Sequence, residues 1–138
     1  MELSEKIIND IASELELGMF VFYNKRTQEV ISHPDMDSPY VEPELWQDVI
    51  DKVNNDLKNC IGFEPMDSPL EFKMMANFAT TVQDESARNH IFSILENRKP
   101  FRNFNEYIHN SPYRQDWFDF KSESYRDYVR REARVYDI

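Results

Sequence analysis

The hydrophobic pattern of the chain begins with helical spacing and then changes to short β-type runs. The first apolar face repeats every four residues and consists of Leu3, Ile7, Ile11 and Leu15. This spacing predicts an amphipathic helix, and Gly18 is placed to close it. The apolar run 19–23, the polar segment 24–27 and the segment 29–31 predict a β-hairpin with a polar turn.

The middle of the chain predicts a loop, a helix and a third strand. Residues 33–42 contain two prolines and two aspartates, which favour turns over either regular period. Pro43 suits the first position of a helix. The apolar face of that helix repeats at four, three and four residues, through Trp46, Ile50, Val53 and Leu57. Residues 60–64 then predict a third strand, which Pro65 ends.

Capping residues and prolines divide the rest of the chain into helices. Ser68 is the predicted cap of a helix that has Pro69 in its first turn and Glu71 as the other half of a capping box. Asp84 is predicted to begin the next helix. That helix ends near Arg98, because the residue before a proline is pushed out of the helical region.

Two helices complete the pattern. A short helix is predicted from Pro100, and Ser111 and Pro112 are predicted to cap the last one. The inward residues of the last helix are predicted to be Trp117 or Phe118, followed by Tyr125, Val129 and Ala133. Three strands that do not alternate regularly with six helices predict an α+β fold with a small, mainly antiparallel sheet and a helical C-terminal half.

The length and composition agree with a single domain over residues 1–138. A chain of 138 residues buries about 68% of its unfolded surface, which is enough for a full core. The longest apolar stretch, 18–23, is far too short to cross a bilayer, so no membrane partner is expected. No basic segment precedes an apolar one at the N-terminus, and Cys60 is the single cysteine. We therefore expect a cytoplasmic protein.

The net charge of −10 lies entirely in the first half of the sequence. Residues 1–69 hold 5 basic and 15 acidic residues, whereas residues 70–138 hold 11 of each. An acidic half complements a basic protein partner, for example a basic nuclease held inactive by an immunity-like protein. This charge favours a non-enzymatic interaction or regulatory protein and makes DNA a poor partner. No feature of the sequence specifies an oligomeric state.

The main candidate binding segment combines cations with aromatic rings. Its residues are Arg98, Lys99, Phe101, Arg102, Phe104 and the more distant Trp117. Such a set can bind RNA or a nucleotide through phosphate contacts and base stacking, which is the alternative function. The competing interpretation is structural: the cations complement a helix end, and the two phenylalanines enter the core. Their helical spacing of three residues favours burial.

Other candidate chemistry in the sequence is weaker. His33, Asp35 and Asp37 place an imidazole and two carboxylates in one loop, which makes a metal-dependent enzyme a weaker alternative, although a solvated turn is favoured. Cys60 is predicted to be an inert thiol, because burial and acidic neighbours raise a thiol pKa. The sequence has no glycine-rich phosphate loop and no nucleophile elbow. We therefore assign no catalytic residue, metal or cofactor.

The last helix carries cations four residues apart. Arg126, Arg130 and Arg134 form a predicted ridge that is able to face phosphates. Acidic residues lie between them, and the pairs Glu123 to Arg126 and Asp127 to Arg131 have helical ion-pair spacing. A solvated face with internal salt bridges is therefore the favoured interpretation.

The order of these elements resembles a known bacterial family. The hairpin 20–30 and the strand 61–65 precede a run of Phe, Lys and Met at 72–79, the Arg-Lys-Pro-Phe element at 98–104 and the Trp-Phe-x-Phe cluster at 117–120. This arrangement resembles uncharacterised protein family 0158, from about residue 18 to residue 128. Members of that family carry a glycine in the hairpin turn where this chain has Gln28. The resemblance implies a bacterial origin and a shared fold, and it implies no particular reaction.

Overall fold

The computed structural model describes residues 2–138, and this range forms an α+β structure. The described residues contain six α-helices: α1 (Glu5–Glu16), α2 (Gln47–Asn55), α3 (Ser68–Thr81), α4 (Glu85–Leu95), α5 (Pro100–His109) and α6 (Arg114–Val135). They also contain three strands: β1 (Phe20–Asn24), β2 (Val30–His33) and β3 (Cys60–Phe63). The strands form one antiparallel sheet in the order β2-β1-β3. The predicted fold class is confirmed.

The chain divides into two compact units. The first consists of the described residues up to Pro65 together with Tyr125–Ile138, and the second is Met66–Ser124. The sequence of the first unit holds 9 basic and 17 acidic residues, a net of −8, and that of the second holds 7 and 9, a net of −2. The acidic character therefore follows the unit that contains the sheet. The single domain over residues 1–138 stays a prediction.

In the first unit, α1 packs against the sheet through the face that the sequence predicts. Ile8, Ile11 and Leu15 are buried, and α1 contacts β1 and β2. The Ser4 hydroxyl accepts a hydrogen bond from the Ile7 N–H, which satisfies one free donor at the start of the helix. Gly18 has a φ of +84°, the left-handed conformation that ends the helix at low cost.

A polar network joins the hairpin turn to the end of α2. Asn24 is only 5% exposed, and its side-chain amide donates a hydrogen bond of 2.9 Å to the Asp56 carboxylate. Arg26 reaches the same carboxylate oxygen at 2.8 Å, and Asn59 donates to the other oxygen at 2.7 Å. These bonds, with the one from Asn24 contributing most, lower the pKa of Asp56 to about 2.

The hairpin turn explains why Gln28 stands out in the sequence. Its φ is +63°, which glycine adopts freely but a residue with a side chain adopts at a cost. The Gln28 N–H donates a hydrogen bond of 2.7 Å to the Asn24 carbonyl oxygen, so the strained conformation is part of the closed turn.

The second predicted helix is shorter than its apolar pattern indicates. Residues Pro43–Trp46 form a 3-10 turn, and α2 follows it. Val53 is buried, whereas Leu57 lies in a second 3-10 turn and is 56% exposed. The prediction of one continuous helical face through Leu57 is therefore wrong, because α2 ends at Asn55 before Leu57 can complete the face.

The predicted start of α3 is wrong by one residue. Asp67, and not Ser68, is the cap: its carboxylate accepts a hydrogen bond of 2.9 Å from the Leu70 N–H. A carboxylate at this position also interacts favourably with the helix dipole. Asp84, which is predicted to begin α4, is the residue just before it and caps it, since its carboxylate accepts a hydrogen bond from the Ala87 N–H.

The last helix begins later than predicted, at Arg114. Ser111 and Pro112 precede α6 by two residues or more, and the Ser111 hydroxyl accepts a hydrogen bond from the Tyr113 N–H. These residues therefore shape the turn and do not cap the helix directly. Tyr125, Val129 and Ala133 are buried, which confirms the inward face predicted for this part of the helix.

Candidate functional site

The three cations of the predicted binding segment lie at the junction between α4 and α5. Arg98, Lys99 and Arg102 are exposed, and none of them forms an ion pair with a residue in the described range. Lys99 has a φ of +52° and precedes Pro100, the first residue of α5. The Asn103 side chain donates a hydrogen bond of 2.9 Å to the Arg98 carbonyl oxygen. The backbone of the junction is thereby fixed while its cationic side chains face solvent.

The aromatic members of that segment lie in the core of the second unit. Phe104 and Trp117 are 0% and 4% exposed, and their ring centroids are 4.9 Å apart. Both rings also contact Phe78, at 6.5 Å and 5.3 Å. Buried rings in edge-to-face contact stabilise a core and offer no face to a nucleobase. The structure thus brings Phe104 and Trp117 together as scaffold.

Phe101 occupies an intermediate position between the core and the cations. It is half-buried, and its ring centroid lies 6.4 Å from that of Phe72. Of the six predicted binding residues, the three cations and part of Phe101 are accessible to a ligand. Their role in binding stays a prediction.

Trp117 and Phe118 face in different directions, which settles which of the two is the inward residue. Trp117 is buried, whereas Phe118 is 43% exposed. The Arg114 guanidinium lies 5.3 Å from the centre of the Phe118 ring, a cation–π arrangement on the surface of α6.

His33 and its neighbouring carboxylates occupy the end of β2 and the loop after it. The His33 ring lies 6.0 Å from Phe20 and 5.6 Å from Phe22, on one face of the sheet. Its Nδ1 atom lies 2.7 Å from the carbonyl oxygen of Pro34, and the Asp35 carboxylate accepts a bond from the Asp37 N–H. Among residues 2–138, no group of three His, Cys, Asp or Glu side chains is arranged to hold a metal ion.

The loop after β2 and the 3-10 turn and helix that follow it carry the densest negative charge of the first unit. We call residues 35–51 the acidic segment. It holds six carboxylates and no cation: Asp35, Asp37, Glu42, Glu44, Asp48 and Asp51. None of these six forms an ion pair with a described residue. Lys52, the next residue along the chain, pairs instead with Glu29.

Two large apolar side chains of the acidic segment are unusually exposed. Tyr40 is 94% exposed and Leu45 is 73% exposed. Tyr40 belongs to the loop, and Leu45 to the 3-10 turn that precedes α2. Trp46 beside them is half-buried. The acidic segment therefore presents an aromatic ring and an aliphatic side chain among unneutralised carboxylates.

The sequence pattern did not predict this combination, because the spacing of Trp46, Ile50, Val53 and Leu57 favours an inward helical face. The available signal is the segment 39–43, Pro-Tyr-Val-Glu-Pro, in which the aromatic residue Tyr40 lies between two prolines. Prolines on either side keep the ring out of a regular element, so it cannot share a helical or strand face with core residues.

The surroundings of Cys60 disfavour its thiolate form. Partial burial and the nearby Asp56 carboxylate raise the pKa of the Cys60 thiol, which confirms the predicted direction.

On α6, the Asp127 carboxylate pairs with Arg130 at 2.7 Å, and Arg130 also pairs with Glu5 at 2.8 Å. Asp127 therefore pairs with Arg130, three residues away, and not with Arg131, which the sequence pattern indicated.

The fold and these surfaces define a small α+β protein with two exposed charged regions: the acidic segment, and the cations at the junction between α4 and α5. None of the helices within residues 2–138 has the length and apolar character needed to span a bilayer. The chain belongs to the Uncharacterised protein family (UPF0158), whose model matches residues 3–135. This match confirms the resemblance seen in the sequence. Comparisons with curated proteins and with solved structures found no match to this chain.

Proposed function

We propose that this protein is a non-enzymatic cytoplasmic interaction or regulatory protein whose acidic segment binds a basic protein partner. The observation that supports this proposal is the exposure of Tyr40 and Leu45 among six carboxylates that form no ion pair with a described residue.

Both parts of that observation are needed for a specific complex. Unneutralised carboxylates attract a basic surface and speed its association, but exposed charge pairs contribute little to final affinity. Burial of a large apolar side chain contributes about 1.5–3 kcal/mol, so Tyr40 and Leu45 are the expected anchors. The partner we expect combines Lys or Arg side chains with an apolar pocket.

The test compares anchor variants in a pull-down from native bacterial lysate at low salt, with partners quantified by mass spectrometry. We expect the wild type to retain a basic protein that the double variant Tyr40→Ala/Leu45→Ala loses. The matched control is Leu17→Ala/Leu57→Ala, because both leucines are exposed on the first unit, at 77% and 56%. The control should retain the same partner.

A second pair of variants separates local charge from net charge. Glu42→Gln/Glu44→Gln/Asp48→Asn and Glu85→Gln/Glu96→Gln/Glu106→Gln each remove three negative charges from exposed positions. The first should weaken retention of the partner, and the second should not. Equal effects of the two triple variants, or equal recovery with the anchor and control variants, would contradict a specific site in the acidic segment.

A second candidate function is RNA or nucleotide binding at the junction between α4 and α5. It is favoured by one observation: Arg98, Lys99 and Arg102 are exposed and lack ion pairs with described residues at the N-terminus of α5. Because Phe104 and Trp117 are buried, this mode relies on phosphate contacts and not on stacking by those rings.

Binding of labelled single-stranded RNA over a range of salt concentrations tests this candidate. The slope of log affinity against log salt is negative, and each lost phosphate contact reduces its magnitude by about 0.7. Arg98→Ala/Arg102→Ala should therefore make the slope shallower, whereas Lys25→Ala/Lys58→Ala removes two exposed cations of the first unit and should not. The absence of any RNA shift at low salt, or the same change in both variants, would exclude this function.

A further inference from the structure

The second unit contains a cleft of about 730 Å³ beside the aromatic core. The cleft is open to solvent. The aromatic and acidic residues that line it are Phe78, Tyr113, Phe120, Asp84, Asp116 and Asp119. They come from the end of α3, the start of α4 and the first turns of α6.

The aromatic rings form an apolar wall. Phe78 is 2% exposed, and its ring centroid lies 5.4 Å from that of Phe120. Phe120 and Tyr113 are only half-buried, so their rings border the open space of the cleft. Ring faces attract cations through their quadrupole, in addition to packing against alkyl chains.

The carboxylates give the cleft a negative potential. Asp84 has one oxygen bonded to the Ala87 N–H, and Asp119 accepts a hydrogen bond from Gln115. Asp116 is exposed and forms no hydrogen bond or ion pair with a described residue. Partial burial, followed by the charges of Asp84, Tyr107 and Asp116, raises the pKa of the Tyr113 phenol, which reflects the same potential.

Among residues 2–138, no cationic side chain is part of the cleft lining. The Arg88 guanidinium donates to the carbonyl oxygens of Val82 and Gln83, two residues of the cleft wall, and Arg114 lies over Phe118. The three carboxylates also do not converge as a metal site, since no such group occurs among residues 2–138. Separated carboxylates beside apolar rings fit an extended organic cation better than a compact metal ion.

We propose that this cleft binds a small aliphatic amine of the polyamine class. Its ammonium groups would pair with Asp84, Asp116 and Asp119, and its alkyl chain would pack against the half-buried rings of Tyr113 and Phe120. This site is independent of the acidic segment, which lies in the first unit.

Isothermal titration calorimetry of the full chain with spermidine tests the proposal. We expect one spermidine per chain. Asp116→Asn should weaken binding about tenfold, because it removes one charge-assisted contact. Glu96→Gln is the matched control: it removes one negative charge at an exposed position of the same unit, outside the cleft, and should change the affinity less than about twofold.

Chemical-shift mapping of backbone amides should place the bound spermidine at residues of the cleft. Far-ultraviolet circular dichroism confirms that both variants are folded. The proposal is overturned if spermidine does not bind, if Asp116→Asn and Glu96→Gln weaken it equally, or if Mg²⁺ at the same ionic strength displaces it completely. The last two results would indicate diffuse charge attraction without a site.

Discussion

Replacement of Trp117 by alanine is the sharpest test of how the aromatic cluster functions. The indole ring is 4% exposed and contacts three phenylalanine rings, with centroid distances of 5.3 Å to Phe78, 4.9 Å to Phe104 and 6.4 Å to Phe120. If the cluster is core, its loss leaves a cavity that the neighbouring helices can fill only in part. If it were a binding surface, its loss would hardly affect folding.

The expected cost follows from these contacts. Truncation of a buried Trp to Ala costs about 3–5 kcal/mol, of which each ring pair contributes about 0.5–1.5 kcal/mol beyond area burial. Three ring partners place Trp117→Ala in the upper part of that range. A whole domain is stable by only about 5–15 kcal/mol, so a loss of this size removes a large share of the total stability.

Urea unfolding followed by circular dichroism measures this cost without relying on the fluorescence of the lost indole. Phe118→Ala is the matched control, because Phe118 is the next residue, is 43% exposed and contacts the Arg114 guanidinium. It should cost no more than about 1 kcal/mol. A loss below about 1 kcal/mol in Trp117→Ala, or equal losses in both variants, would refute the assignment of Trp117 to the core.

Three further predictions concern individual backbone and charge features. Gln28→Gly should raise the free energy of unfolding by about 0.5 kcal/mol. The left-handed conformation costs a residue with a side chain about 1 kcal/mol, and the greater freedom of glycine in the unfolded chain offsets part of this gain. A lower denaturation midpoint would contradict this prediction. Asp67→Ala should lower the stability by about 1 kcal/mol and Ser68→Ala by less than about 0.5 kcal/mol in the same urea assay; the reverse order would make Ser68 the cap of α3. Asp56 has a folded pKa of about 2, below its ordinary value of 3.8, so its contribution to stability is complete above the ordinary value and is lost as the pH falls from there towards 2. Asp56→Asn should flatten this part of the pH profile of the thermal midpoint, and an unchanged profile would show that the network does not set the acid sensitivity.

Local sequence signals predicted the elements of this fold well. Period-four spacing and Gly18 placed α1, alternation and turn residues placed the hairpin, and Pro100 placed the start of α5. These signals succeed because each one acts within a few residues of the chain. They erred where two local signals compete: Asp67 and Ser68 are both good caps, and the carboxylate forms the bond to Leu70.

The exposure of the candidate binding residues depends on contacts between distant parts of the chain, which local sequence signals do not contain. Helical spacing favoured burial of Phe101 and Phe104, but whether a ring is covered depends on other helices, and Phe101 is only half-buried. The exposure of Tyr40 and Leu45 was not predicted, because the helical spacing from Trp46 onward favours an inward face; the prolines on either side of Tyr40 were the available signal. The cleft beside Tyr113 was also missed, since its residues lie at positions 78–120 and only folding brings them together.

The central claim is that the acidic segment is a docking surface for a basic protein, and site-specific photocrosslinking in living cells tests it most directly. A photoreactive benzoylphenylalanine at position 40 replaces an aromatic ring that is 94% exposed, and the same residue at position 17 replaces Leu17, which is 77% exposed. We predict one dominant adduct with a basic protein from position 40 and none from position 17. No adduct at position 40, or the same adducts from both positions, would contradict the claim.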